Sequence, residues 1–147
     1  MKKSSNMARN LVLGFFGIAA VVGLYKTFAP SSAPMSGSIA SQFVEPTLSA
    51  AAQEGEALFN KTCAACHGQN ALGTEKGPPF IHDIYNPGHH SDDAFFFAVQ
   101  NGVRQHHWPY GDMPAQAQVS RDDVAKIVTY VRELQSANGI AYRQHKM

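Results

Sequence analysis

The sequence predicts an all-α domain with long loops, preceded by a single apolar helix at the N-terminus. Three observations carry that prediction. Three segments place apolar residues at helical spacing between recognisable start and stop signals. No segment alternates apolar and polar residues as a half-buried strand does. Residues 11–25 form an almost unbroken apolar run behind a basic flank.

The apolar run comes first in the chain. Leu11 to Tyr25 follows Lys2, Lys3 and Arg9, and beyond Lys26 the segment continues through Phe28. Such a pattern is either a secretory signal or a short membrane anchor. Its length stands at the lower limit of the roughly 17–25 residues that span a bilayer. A cleavage site ending at Ala29 would be followed by Pro30, which suits signal peptidase poorly, and Ser38-Ile39-Ala40 lies far from the run. The expectation is an uncleaved single transmembrane helix over residues 1–28. The excess of basic residues before it puts the N-terminus in the cytoplasm. In a bacterium that means an inner-membrane protein with the remainder on the periplasmic side.

Residues 29–50 are rich in Ser, Ala and Pro and have no periodicity. That composition predicts a flexible linker, and Pro30, Pro34 and Pro46 exclude one long helix. A compact domain is expected over residues 51–139, with a tail at 140–147. The 147-residue chain carries a formal net charge of +1, which argues against a nucleic-acid binder working by phosphate neutralisation. From Gln53 onward, eight lysines and arginines face ten carboxylates, so the domain is mildly acidic.

Within the domain, the first helix is expected from Ala50 to Thr62, with Gly55, Leu58 and Phe59 to one side. The second opens at Ser91, runs through Asp92-Asp93 into Ala94–Val99, and stops at Asn101-Gly102. The third begins with Ser120-Arg121-Asp122-Asp123, a capping box whose acidic turn faces the positive end of the helix dipole. Val124, Ile127, Val128, Val131 and Leu134 then recur at helical spacing until Asn138-Gly139.

Cys63-Ala64-Ala65-Cys66-His67 is where chemistry enters. Two thiols three residues apart suit addition to the two vinyl groups of one haem, and the adjacent imidazole then reaches the iron; the motif signals covalent haem c. A redox-active Cys-x-x-Cys expects a βαβ context, which is missing. A zinc site would need a further ligand at suitable spacing, and these are the only two cysteines in the chain. One haem c, held by Cys63 and Cys66 with His67 on the iron, is the expectation.

A sixth iron ligand is sought among five methionines. Met1 and Met7 precede the apolar run, Met35 lies in the linker and Met147 is terminal. Met113 remains, in the turn Tyr110-Gly111-Asp112-Met113-Pro114, away from any apolar helix face. His/Met ligation raises a haem's potential and fills both axial positions, which suits electron transfer and obstructs substrate binding. Trp108 and Arg104 are candidate donors to the haem carboxylates.

These residues make the stretch from Gln53 to Gly139 resemble the class I cytochrome c family. The resemblance implies a compact fold of three or more helices with long loops around one haem. It implies that Gly55 and Phe59 sit where the first helix crosses the last, against Ile127 and Tyr130. It makes Gly77-Pro78 the loop after the attachment site, with the Pro78 carbonyl accepting a hydrogen bond from His67 Nδ1. Met113-Pro114 would be the distal methionine loop. The chain departs from lysine-rich family members, so docking through a lysine ring is not implied.

Seven histidines are many for this length. His89-His90 precede the second helix and His106-His107 precede Trp108, while His82 and His145 stand alone. Most are read as exposed or hydrogen-bonded. The sharper readings are a copper site built from His89, His90, His106 and His107, and proton-coupled redox through a histidine near the haem. The function expected is electron transfer without catalytic residues, between a membrane dehydrogenase or bc-type complex and a terminal acceptor. An enzyme or gas sensor would need Met113 to leave the iron, with His107 as the acid or base. A metal-handling accessory would make the histidine clusters its main feature.

Overall fold

The computed structural model describes residues 42–144, and the expected membrane helix and most of the expected linker lie outside them. Four α-helices order the described chain: α1 (Ala50–Thr62), α2 (Ala64–His67), α3 (Asp92–Asn101) and α4 (Arg121–Ala137). Short 3-10 turns occupy Gln69–Ala71 and Asp83–Tyr85. Among the described residues the only β pairing consists of the isolated bridges Thr74–Gly77 and Val103–Met113. No helix among them is long and apolar enough to cross a membrane.

Caps place the helices. Ser49 Oγ accepts the Ala52 N–H at 3.2 Å to start α1, and Ser120 Oγ accepts the Asp123 N–H at 3.1 Å to start α4. In α4 the box differs from its usual reciprocal form: the Ser120 hydroxyl donates to the Asp123 carboxylate at 2.7 Å. Ser91 begins α3 with extended backbone but makes no side-chain cap bond, leaving Asp92 and Asp93 to complement the dipole.

Helices α1 and α4 cross through Gly55. A Cβ there would run into the Lys126 carbonyl and stand 3.0 Å from Tyr130 Cβ. Of the two expected partners Tyr130 is in place, while the closest atoms belong to the Lys126 backbone, one residue before Ile127. Below the crossing, the Phe59 and Tyr130 rings lie 5.5 Å apart. Ala52, Phe59, Tyr130, Val131 and Leu134 are essentially inaccessible. Each large apolar side chain so buried contributes roughly 1.5–3 kcal/mol, which is why these two helices anchor the domain.

Two boundaries differ from the sequence-based expectation. Residues 43–49, expected as linker, are packed: Phe43 and Leu48 lie against the core. Asn138 holds the Val44 backbone by two bonds of 2.8 and 2.9 Å, and Glu133 accepts both the N–H and the hydroxyl of Ser49. Composition pointed to flexibility because the partners are about 90 residues away in sequence. The tail expected from residue 140 also begins inside the domain, since Ile140 is 7% exposed and Arg143 reaches the Asp83 carboxylate.

Candidate haem site

The path from α1 into α2 sets three reactive side chains on one turn. The Cys63 N–H donates to the Phe59 carbonyl at 2.7 Å, and the N–H groups of Cys66 and His67 donate to the Cys63 carbonyl at 3.1 and 2.9 Å. Cys63 and His67 are therefore helical neighbours four residues apart, on one face. Cys63 is half-buried and Cys66 is exposed. Burial, with Cys66 adding to it, pushes the Cys63 thiol up to about 11.

His67 is 7% exposed, and its Nδ1 lies 3.0 Å from the Pro78 carbonyl. Burial holds its pKa below the ordinary histidine value, against the pull of the Pro78 bond. The neutral ring spends its Nδ1–H on Pro78 and keeps a lone pair on Nε2, the state in which imidazole ligates a metal. Pro78 is positioned by backbone proximity. A Cβ on Gly77 would come within 2.9 Å of the Cys66 carbonyl, and Thr74 ties the same loop by donating its hydroxyl to that carbonyl at 2.5 Å.

Met113 is held as the third corner. Its N–H and C=O pair with those of Val103, both at 2.9 Å. Gln105 closes the loop, accepting the Gly111 N–H through its side chain at 2.7 Å and donating its own N–H to the Asp112 carboxylate at 2.9 Å.

These segments surround one cavity of about 470 Å³. His67, Pro78, Arg104, Trp108 and Met113 all line it, while Cys63 and Cys66 do not. Helix α3 supplies much of the apolar wall through Phe95, Ala98 and Val99. Although the helix reads Ala-Phe-Phe-Phe-Ala-Val, none of its residues is fully buried. Its apolar side borders the cavity, as the wall of a cofactor site should. Trp108 gives a second sign of fit: its buried Nε1–H has no hydrogen-bond partner in good geometry. An indole donor in that position suits a carboxylate of a bound group. The nearby Tyr85 phenol is pushed up to about 12, by burial first, with the Trp108 indole working against that and Tyr110 adding to it. Arg104 is exposed at the rim.

Four residues that frame the site were not read from the sequence. Phe80 stacks on His67 with ring centroids 4.3 Å apart. Tyr85 packs edge-on against Phe80 at 5.1 Å. Gln135, 1% exposed, donates to the Phe80 and Tyr85 carbonyls at 2.9 and 3.1 Å. Arg132 donates to the carbonyls of Tyr85 and His90 at 2.9 and 2.6 Å. The available signal was the spacing of Val128, Val131, Arg132 and Gln135, which carries the buried stripe of α4 into polar residues.

The histidines separate into groups. His89, His90 and His107 converge, with one ring nitrogen from each lying within 4.8 Å of the others. His106 is outside that set; its Nδ1 faces the Arg104 carbonyl at 2.8 Å. The four-histidine arrangement is thus reduced to three. His82 accepts the Ile84 N–H and meets the Trp108 ring edge-on at 5.0 Å, and His145 lies outside the described residues.

No individual curated protein matches the chain. The family model described as Cytochrome c matches residues 52–135, from the first turn of α1 almost to the end of α4. Spanning more than half of the chain and containing the Cys63–His67 motif, that match shows that the chain belongs to the cytochrome c family, whose haem c is covalently bound and whose chemistry is haem-based electron transfer.

Proposed function

We propose that the chain is a single-haem electron carrier of the class I type, with His67 and Met113 as axial ligands. In this reading it is tethered through residues 11–28 to a bacterial inner membrane, with the haem domain on the periplasmic side. The observation that carries the ligand assignment is that His67 and Met113 line one apolar cavity, each with its backbone held by hydrogen bonds. Bound there, haem supplies a one-electron Fe(III)/Fe(II) couple.

The protein's part is to fix that couple. Pro78 orients the His67 ring, and Phe80 stacks across it. The Val103 pairing limits the freedom of the Met113 backbone. A soft, neutral thioether favours ferrous iron and raises the potential. Trp108 and Arg104 offer donors to the haem carboxylates. With His67 and Met113 both holding the iron, small molecules would be kept from it, which favours a carrier over an enzyme. The partners fitting this role are a membrane dehydrogenase or bc-type complex on one side and a terminal acceptor on the other.

Replacing Met113 tests the reading. In the native ferrous protein, carbon monoxide should bind slowly or not at all. Met113→Ala should bind it readily and show a lower reduction potential. Rapid binding by the native protein would overturn the six-coordinate carrier. For the tether, N-terminal sequencing of the membrane-extracted protein should find residues 11–28 retained; a start at Ser41 would refute it.

A further inference from the structure

His89, His90 and His107 form a group that the haem site does not use for attachment or axial ligation. Adjacent histidines usually diverge, but here the turn before α3 gathers them. The N–H groups of His89 and His90 both donate to the Asn86 carbonyl, at 3.0 and 2.9 Å, and Arg132 holds the His90 carbonyl. The His89 and His90 rings therefore sit 4.8 Å apart at 73°. The loop before Met113 brings His107 over them, 5.3 and 5.4 Å from the two rings.

One pair in the group already has the spacing of metal ligation. His89 Nε2 and His107 Nε2 are 3.4 Å apart, longer than the roughly 2.9–3.0 Å of an ordinary N–H hydrogen bond. Two imidazole nitrogens at roughly 2.0–2.1 Å from one metal stand about 2.8–3.4 Å from each other, from the adjacent corners of a tetragonal site to those of a tetrahedral one. His90 places its Nδ1 2.7 Å from the Ile84 carbonyl, which leaves Nε2 with the lone pair and fixes the ring. A backbone carbonyl on the far nitrogen is the usual outer support of a metal-bound histidine. His107 is exposed and has room to turn toward the other two.

We infer that His89, His90 and His107 form a binding site for a copper(II) ion, with the fourth position open to solvent. Three imidazoles and no carboxylate disfavour calcium and magnesium, and among the divalent metals that imidazole suits, copper binds most tightly. His90 and His107 also line the haem cavity, so the ion would sit at its rim. The site is independent of whether Met113 ligates iron.

The test is copper titration of the haem-loaded full chain, followed by calorimetry and electron paramagnetic resonance. One equivalent of copper should bind, with hyperfine structure from three nitrogens. His107→Ala and His89→Ala should each weaken binding by at least about 100-fold, beyond the roughly 10–100-fold loss typical of an outer partner. His106→Ala should leave it within a few-fold. An unchanged Soret band and far-ultraviolet dichroism would show that the variants fold. The nitrogen count on the unaltered protein decides the matter even if a variant does not fold. No stoichiometric copper, fewer than three nitrogens, or equal loss in His106→Ala and His107→Ala would overturn the site.

Discussion

Phe80 lies against the His67 ring, centroids 4.3 Å apart and planes 28° from parallel, while its own edge meets Phe59, Tyr85 and Phe95. One side chain thus couples the histidine of the Cys63–His67 motif to the α1–α4 core. Phe80→Ala should lower stability by about 3 kcal/mol, the low end for a buried Phe→Ala because Phe80 is half-buried. Phe80→Leu, which keeps most of the volume, should lose about half as much. Urea unfolding of the haem-loaded protein measures both; equal stability in all three proteins would show that the stack is incidental.

The α1–α4 crossing admits no side chain at residue 55. Gly55→Ala would push a methyl group into the Lys126 carbonyl, which is backbone and cannot rotate away. The helices must separate, spoiling the contact of Phe59 with Tyr130 below. Overpacking costs of about 1–3 kcal/mol apply, and the gain in helix propensity of about 1 kcal/mol offsets only part of them. A lowered thermal midpoint with unchanged helix content at 10 °C is the expected result.

How much of this was legible in the sequence follows from the range of the interactions. The bounds of α1 and α3 and the start of α4 were readable because caps and periodicity act within a few residues. The Pro78 contact with His67 was implied by family resemblance, and the structure has that hydrogen bond. The packing of Phe43 and Leu48 was invisible, because a Ser/Ala/Pro-rich segment carries no periodicity and its partners Glu133 and Asn138 lie far along the chain. Phe80 and Gln135 were missed for the same reason: neither belongs to a motif, and each acquires its role only when the loop folds over α4.

Gln135 is a buried amide committed to two loop carbonyls. Gln135→Leu keeps the size but leaves the Phe80 carbonyl without that donor, while Arg132 still serves Tyr85. An unsatisfied buried acceptor costs roughly 1–3 kcal/mol. The loop that carries Pro78 and Phe80 should loosen first. Amide hydrogen exchange should quicken across residues 80–91 more than in α1; uniform acceleration would indicate only a global loss.

Tyr130 should make the protein sensitive to alkali. Burial raises its phenol to about 12 from an ordinary value of 10, with Glu56 and Glu45 adding to the shift. Between those values the unfolded chain has released a proton that the folded chain retains, so the folded state binds more protons. Stability is then fully present below pH 10 and falls as pH rises through 12. Tyr85, also raised to about 12, contributes in the same direction. Tyr130→Phe, which gives up only a weak 3.4 Å bond to Asn70, should remove about half of the slope between pH 10 and 11.5 in urea unfolding. An unchanged slope would refute the assignment.

Trp108 carries a buried donor on the wall of the cavity. Its indole nitrogen is buried without a partner in good geometry, and its ring is packed edge-on by His82. Trp108→Phe retains an aromatic ring against His82 and removes only the donor. If the N–H serves a haem carboxylate, the haem-loaded variant loses a hydrogen bond to a charged group, worth roughly 1.5–3 kcal/mol. Withdrawing that donor also leaves more negative charge beside the iron, which stabilises the ferric form, so the reduction potential should fall. Substitution of His82 by Phe, which alters the packing but spares the indole N–H, should leave the potential nearly unchanged. A potential that moves equally in both variants would assign Trp108 to packing alone.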